Sequence, residues 1–165
     1  MSLDGEAADL GRVVVIGVGN PFRGDDGAGV EAARLLRGRL PNGVEVMEQD
    51  GEPAGLLDAW HDARIAYVID AVRADGLVGE IHRVQIDRTA GTTLPASPRR
   101  DSSHALGLGD AVELARILDR LPGRLVLLGI AGAHFEAGDA LSNRVHAAVE
   151  QLVEALVEEV SAACA

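Results

Sequence analysis

The sequence predicts a three-layer α/β/α sandwich around a mostly parallel five-stranded sheet with one antiparallel strand. Three observations carry that expectation. Short apolar runs alternate with amphipathic stretches along nearly the whole chain, the pattern of successive βαβ units. The runs Val13-Val14-Val15-Ile16 and Ile65-Ala66-Tyr67-Val68-Ile69 are apolar at every position, as strands covered on both faces must be. One later run follows its predecessor too closely for a parallel crossover.

The first strand, Val13–Ile16, runs into a glycine-rich loop, Gly17-Val18-Gly19-Asn20. Ala28, Ala32, Leu35 and Leu36 then recur at helical spacing from about Asp26 to Leu40, and Pro41-Asn42-Gly43 stops that helix. Val44–Met47 is the second strand, and a helix over about Pro53–His61 follows. The third strand, Ile65–Ile69, closes at Asp70. Only about nine residues separate Asp70 from Glu80–Ile86, so this fourth strand is expected to run antiparallel, with Arg83 and Gln85 on a wetter edge. A Pro/Ser/Thr-rich loop spans Asp87–Ser103, a length associated with functional or disordered segments. His104–Asp119 reads as a helix with Leu108, Ala111, Val112, Ala115 and Leu118 on one face and Ser102 or Ser103 as its cap. Arg124–Ile130 is the fifth strand. The last helix carries Leu141, Val145, Val149, Leu152, Leu156 and Val160 at three- and four-residue spacing, with Glu150, Glu154, Glu158 and Glu159 on a solvated face.

Composition narrows the function. The 165 residues suit a single domain, 1–165, with 1–11 as a flexible tail. They are 47% hydrophobic and 25% charged, a globular balance. Fifteen basic against 26 acidic residues leave a net charge of -11, which repels phosphate backbones and anionic membranes. Every basic residue is Arg, so phosphate-loop, Schiff-base and general-base lysine chemistries are excluded. With one cysteine, Cys164, no intramolecular disulfide can form. No membrane-length apolar run and no signal-like segment occur, so a cytoplasmic location is expected, with no nucleic-acid or membrane partner.

In open α/β sheets, ligands bind beyond the carboxyl ends of strands, where the strand order reverses. Asp25 and Asp26 follow the first strand and Asp70 closes the third, neighbours at the reversal in a flavodoxin-like order. His104 opens the helix after the long loop. Two carboxylates and an imidazole suit a divalent ion with open positions, such as Ni, Zn, Mn or Fe. Each residue also has a plain structural reading. Asp26 suits a helix N-terminus, Asp70 a strand-end turn, and His104 a first helical turn. A nucleotide site fits poorly, because Phe22 stands at the third glycine of the dinucleotide fingerprint and Asp25-Asp26 would face a pyrophosphate. No nucleotide or organic cofactor is expected. His61, His82, His134 and His146 are expected to be surface or internally satisfied histidines.

Val15-Ile16-Gly17-Val18-Gly19-Asn20-Pro21-Phe22-Arg23-Gly24-Asp25-Asp26-Gly27-Ala28-Gly29-Val30 resembles the signature opening of the hydrogenase maturation proteases. These endopeptidases trim the C-terminal extension of nickel–iron hydrogenase large subunits. Val68-Ile69-Asp70-Ala71-Val72, Ser103-His104-Ala105-Leu106-Gly107-Leu108 and Leu128-Gly129-Ile130 with Gly138-Asp139-Ala140-Leu141-Ser142 look like further blocks of that family, in the same order.

The resemblance implies that Asp26, Asp70 and His104 are metal-contacting positions, with Asp26 or Asp70 as the catalytic, water-activating carboxylate. The metal it implies is nickel already carried by the substrate, the hydrogenase large-subunit precursor. Asn20, Asp25 and Gly51 are expected to bind substrate. A non-cleaving, metal-sensing chaperone for the same precursor would use the same residues. Two stretches depart from the family's pattern: Asp50-Gly51-Glu52-Pro53-Ala54-Gly55 after strand two, and Gly132-Ala133-His134-Phe135-Glu136 after strand five.

Overall fold

The structure, a computed structural model, describes residues 11–89 and 103–165; in the helix that opens at Ser103 it describes side chains from Leu108 onward. The elements run β1 (Arg12–Val18), a 3-10 turn (Gly24–Gly27), α1 (Ala28–Leu36), β2 (Glu45–Gln49), α2 (Pro53–Ala59) and β3 (Ala63–Arg73). They continue with β4 (Ile81–Asp87), α3 (Ser103–Ile117), β5 (Arg124–Gly132) and α4 (Asn143–Ala163). Residues 1–10 of the expected tail (1–11), residues 90–102 of the expected loop (87–103) and a cap at Ser102 lie outside the described residues, as does the side chain of Ser103.

Among the described residues the five strands form one sheet in the order β2-β1-β3-β5-β4. Every pair is parallel except β4 against β5, so the short connection after β3 does deliver the antiparallel edge strand that its length requires.

Alternation along each strand sends side chains into two separate cores. Val13 and Val15 of β1 with Ile65, Tyr67 and Ile69 of β3 pack beneath α1 and α4. Val14, Ile16 and Val18 with Ala66 and Val68 pack beneath α2 and α3, together with Leu56, Trp60 and Val112. Because only four aromatic residues occur, both cores are built mainly of aliphatic side chains. The apolar stripe of α4 (Val145, Val149, Leu152, Leu156, Val160) is buried as its spacing requires. The α4 C-terminus is tied to β3 by the Arg64 guanidinium, which donates 2.8 Å to the Ala163 carbonyl.

Several expected boundaries move, each for a local reason. The predicted first helix divides into the 3-10 turn and α1, and ends at Leu36, just before Gly38 at φ +78°. Leu35 is left partly exposed. Helix α3 stops at Ile117, and Asp119 takes a left-handed φ of 53°, so Leu118 turns half out to solvent. Leu141 precedes α4 but still packs on its core. Glu159 is not merely solvated. Arg83 of β4 clamps its carboxylate with two bonds of 2.9 and 2.7 Å, fastening the edge strand to α4.

Candidate active site at the β1 and β3 strand ends

The strand order reverses between β1 and β3, and the site is built there. β1 ends at Val18, while β3 runs past its last β1 partner, Ile69, as far as Arg73 alongside β5. Asp70 therefore lies within β3 rather than closing it, in register with Gly129. The extra length comes from β5, whose Gly129–Gly132 supply pairing partners where β1 supplies none. Following the alternation of Ala66 and Val68, Asp70 faces the α2/α3 side of the sheet.

Glycines bring the other carboxylate to this notch. At Gly29 in α1 a Cβ would stand 2.6 Å from the Val18 carbonyl oxygen and closer still to that of Ile69, so only glycine lets the helix touch both strands. Gly19, at φ +137°, lies against the Asp26 carbonyl in the same way. The 3-10 turn thus folds back over the end of β1. Asp26 is 4% exposed, and its Oδ2 accepts the Asn20 N–H at 3.0 Å. Asp70 is 2% exposed, and its Oδ1 accepts the Ala71 N–H at 2.8 Å. Two buried acids, one on the turn after β1 and one within β3, thus lie toward the same end of the sheet. His104 falls in the first turn of α3, on the face to which Asp70 points, but its side chain lies outside the described residues. Among the described residues, no group of three His, Cys, Asp or Glu side chains is placed to hold a metal ion.

Asp25, expected to bind substrate, is turned the other way. It is fully buried, and its carboxylate is spent on this chain's own donors. Oδ2 accepts the N–H groups of Ala133 (2.9 Å) and His134 (3.0 Å) and the Ser142 hydroxyl (3.2 Å), while Oδ1 accepts the Ser142 N–H at 2.8 Å. Burial pushes its pKa up, but these donors outweigh that and hold it below the ordinary carboxylate range. Three backbone bonds reinforce the join: Asp25 N–H to the His134 carbonyl (2.7 Å), Gly24 N–H to Asp139 (3.1 Å) and Gly138 N–H to Phe22 (2.9 Å). The β5–α4 loop is welded to the turn that carries Asp26. Sequence reading missed this join, and the signal for it was the doublet itself. Successive residues of a 3-10 turn point roughly 120° apart, which sets Asp25 and Asp26 on different sides of it.

Asn20 shapes the same turn, its side-chain oxygen accepting the Phe22 N–H at 2.9 Å. Phe22 is held there 79% exposed. Beside the notch an open cleft of about 380 Å³ lies between the ends of β1 and β2, lined by Gly19, Pro21, Val30, Gln49, Asp50 and Glu52 among others. Gly51 is buried and does not line it; its neighbours Asp50 and Glu52 do. At the end of β3 the Arg73 guanidinium stacks 5.1 Å from the centroid of the Phe135 ring, which lies in the β5–α4 loop. His61, His82, His134 and His146 are all exposed at the surface.

A doubly wound sheet with two buried carboxylates at its reversal point defines an α/β protein with a candidate site at the carboxyl ends of β1 and β3. A family model described as hydrogenase maturation protease matches residues 30–159. A hydrogenase expression/formation protein of Azotobacter chroococcum mcd 1 is 30% identical over 145 residues, 84% of this chain and 66% of that relative, so the chain spans about two thirds of its length. The hydrogenase 2 maturation protease of Escherichia coli K12 is 29% identical over 153 residues, 87% of each chain. The solved hydrogenase maturating endopeptidase of E. coli superposes with a TM-score of 0.69 at 27% identity, covering 90% of this chain and 93% of that one. The chain belongs to the hydrogenase maturation protease family.

Proposed function

We propose that this protein is a processing endopeptidase that removes the C-terminal extension of a nickel–iron hydrogenase large-subunit precursor. The observation that carries the reading is the pair of buried carboxylates, Asp26 on the turn after β1 and Asp70 within the neighbouring β3, with an open cleft beside that turn. Peptide hydrolysis needs a base that takes a proton from water as its oxygen adds to the scissile carbonyl carbon. The same proton must then reach the leaving amine as the C–N bond breaks. Either carboxylate suits that exchange.

The precursor's nickel belongs to the substrate in this reading. Asp26, Asp70 and His104 offer the oxygen, oxygen and nitrogen donors that a divalent ion with open positions takes. Contact with that ion lets the protease act only on loaded precursor. The exposed Phe22 at the rim suits a protein substrate better than a small molecule, since a fixed aromatic presents apolar area at little entropic cost. Among the described residues no helix is long and apolar enough to cross a membrane, and the proposed reaction is a cytoplasmic one.

Mass spectrometry of nickel-loaded precursor after incubation with this protein, beside a nickel-free control, tests the proposal. Loss of a C-terminal peptide from the loaded sample alone is the expected result. Cutting in both samples refutes the nickel dependence. Cutting in neither, with the precursor bound, refutes the peptidase and favours a chaperone that senses the metal without cleaving.

A further inference from the structure

We infer that Asp25 is a positioning residue that sets Asp26 by locking the β5–α4 loop onto the turn between them. The inference rests on the reading of Asp26 as a reacting carboxylate. Asp25 offers nothing to a substrate: it is fully buried, and both of its oxygens are bonded within the chain. Its partners are three backbone N–H groups and one hydroxyl, all from the segment Ala133–Ser142. A buried carboxylate needs such donors, and these donors, once buried, need an acceptor.

The geometry makes the join continuous with the site. Gly24 and Gly132 leave no slack, since a Cβ on Gly24 would overlap the His134 carbonyl and one on Gly132 would meet the Asp25 Cβ at 2.7 Å. The next residue, Asp26, has its carboxylate bonded to the Asn20 N–H, and the Asn20 carbonyl accepts the Arg23 N–H at 3.2 Å. The turn 20–26 is therefore held at both ends. Its Asn20 end rests on Asp26, and its Asp25 end rests on the β5–α4 loop. Releasing the second end frees the turn to rotate and carries Asp26 away from Asp70. Asp25 takes backbone N–H groups from Ala133 and His134, a contact that is indifferent to side-chain identity.

Amide hydrogen exchange on Asp25→Asn, with Val68 as an internal control in the β3 core, separates positioning from general weakening. The substitution keeps the shape but sets an amide N–H against donors. Exchange is expected to rise at least about tenfold at Ala133, His134, Ser142 and also Asn20, with Val68 unchanged. Processing of nickel-loaded precursor should fall by about tenfold or more in kcat. Faster exchange at Ala133, His134 and Ser142 with Asn20 unmoved refutes positioning and leaves Asp25 a loop anchor. Faster exchange at Asn20 with an unchanged kcat refutes it equally. If the wild-type protein cuts no precursor, the peptidase reading fails, and Asn20 exchange alone decides whether Asp25 holds the turn. Should Asp25→Asn fail to fold, Ser142→Ala removes only the 3.2 Å hydroxyl bond, and a few-fold rise at Asn20 is expected. An unmoved Asn20 in that variant refutes the inference.

Discussion

Gly29→Ala sets two effects against each other, and the structure decides which wins. In an isolated helix the change would stabilise by about 1 kcal/mol, because alanine is the better helix former. Here the added methyl would lie 2.6 Å from the Val18 carbonyl oxygen and nearer to that of Ile69, against a normal carbon–oxygen contact of about 3.3 Å. Both neighbours are backbone, so no side chain can swing aside. Helix α1 must retreat from β1 and β3 by about 1 Å, a gap that forfeits a quarter to a half of each contact's attraction along that interface. Overpacking of this kind costs about 1–3 kcal/mol. The net loss is then up to about 2 kcal/mol after the propensity gain, or a Tm lower by up to about 8 °C for a chain of this size. Activity should suffer more, because Asp26 lies on the turn leading directly into α1 and a 1 Å displacement can cost about a hundredfold in rate. Urea unfolding followed by circular dichroism gives the first quantity, and processing of nickel-loaded precursor the second. A Gly29→Ala protein as stable as wild type and fully active would show that the close approach of helix to strands does not set the site.

Asp26→Asn and Asp70→Asn, each isosteric, should abolish processing while circular dichroism still reports the folded sheet; retained cleavage in both variants would remove these residues from the mechanism. Arg83→Met should lower stability by about 0.5–1 kcal/mol at neutral pH, a modest value because both partners are partly exposed. The two-bond clamp from Arg83 holds the Glu159 carboxyl below its ordinary value of 4.5, against the opposing effect of burial and with help from the Tyr67 hydroxyl. A lowered carboxyl pKa contributes stability above the unfolded value and loses it as pH falls through the folded one. The gap between wild type and Arg83→Met in urea titrations should therefore close below about pH 4.5, and a gap that persists undiminished at pH 3 would assign the effect to packing of the arginine stem. Leu156→Ala, deep beneath α4, should cost about 2–5 kcal/mol, measured by the same titration; a loss under 1 kcal/mol would mean that α4 contributes little to that core.

Several parts of this architecture are local properties and were legible as such. β1, the core of β3 and the stripe of α4 followed from apolar periodicity, because a strand buried on both faces and a helix buried on one leave distinct spacings. The antiparallel β4 followed from chain length alone, since the short segment after β3 cannot carry a crossover. The two acids at the strand reversal were found by the same logic, because the strand order places Asp26 and Asp70 at neighbouring ends once the β1 and β3 runs are recognised. Boundaries were less legible. β3 extends to Arg73 because β5 is there to pair with it, and no run of residues within β3 announces a partner some sixty residues later in the chain.

The amino-acid sequence by itself determined the layered fold, the two carboxylates at its reversal point and, through its glycines, the chance of a helix touching two strands. Tertiary structure alone decided what each acid does. Asp25 and Asp26 are neighbours of identical chemistry, and spacing cannot assign them different roles. The turn sends one toward Asn20 at the end of β1 and the other into the donors of Ala133, His134 and Ser142, more than a hundred residues further along the chain. A buried carboxylate takes its role from the donors that surround it, and donors so distant in sequence meet it only when the sheet has formed.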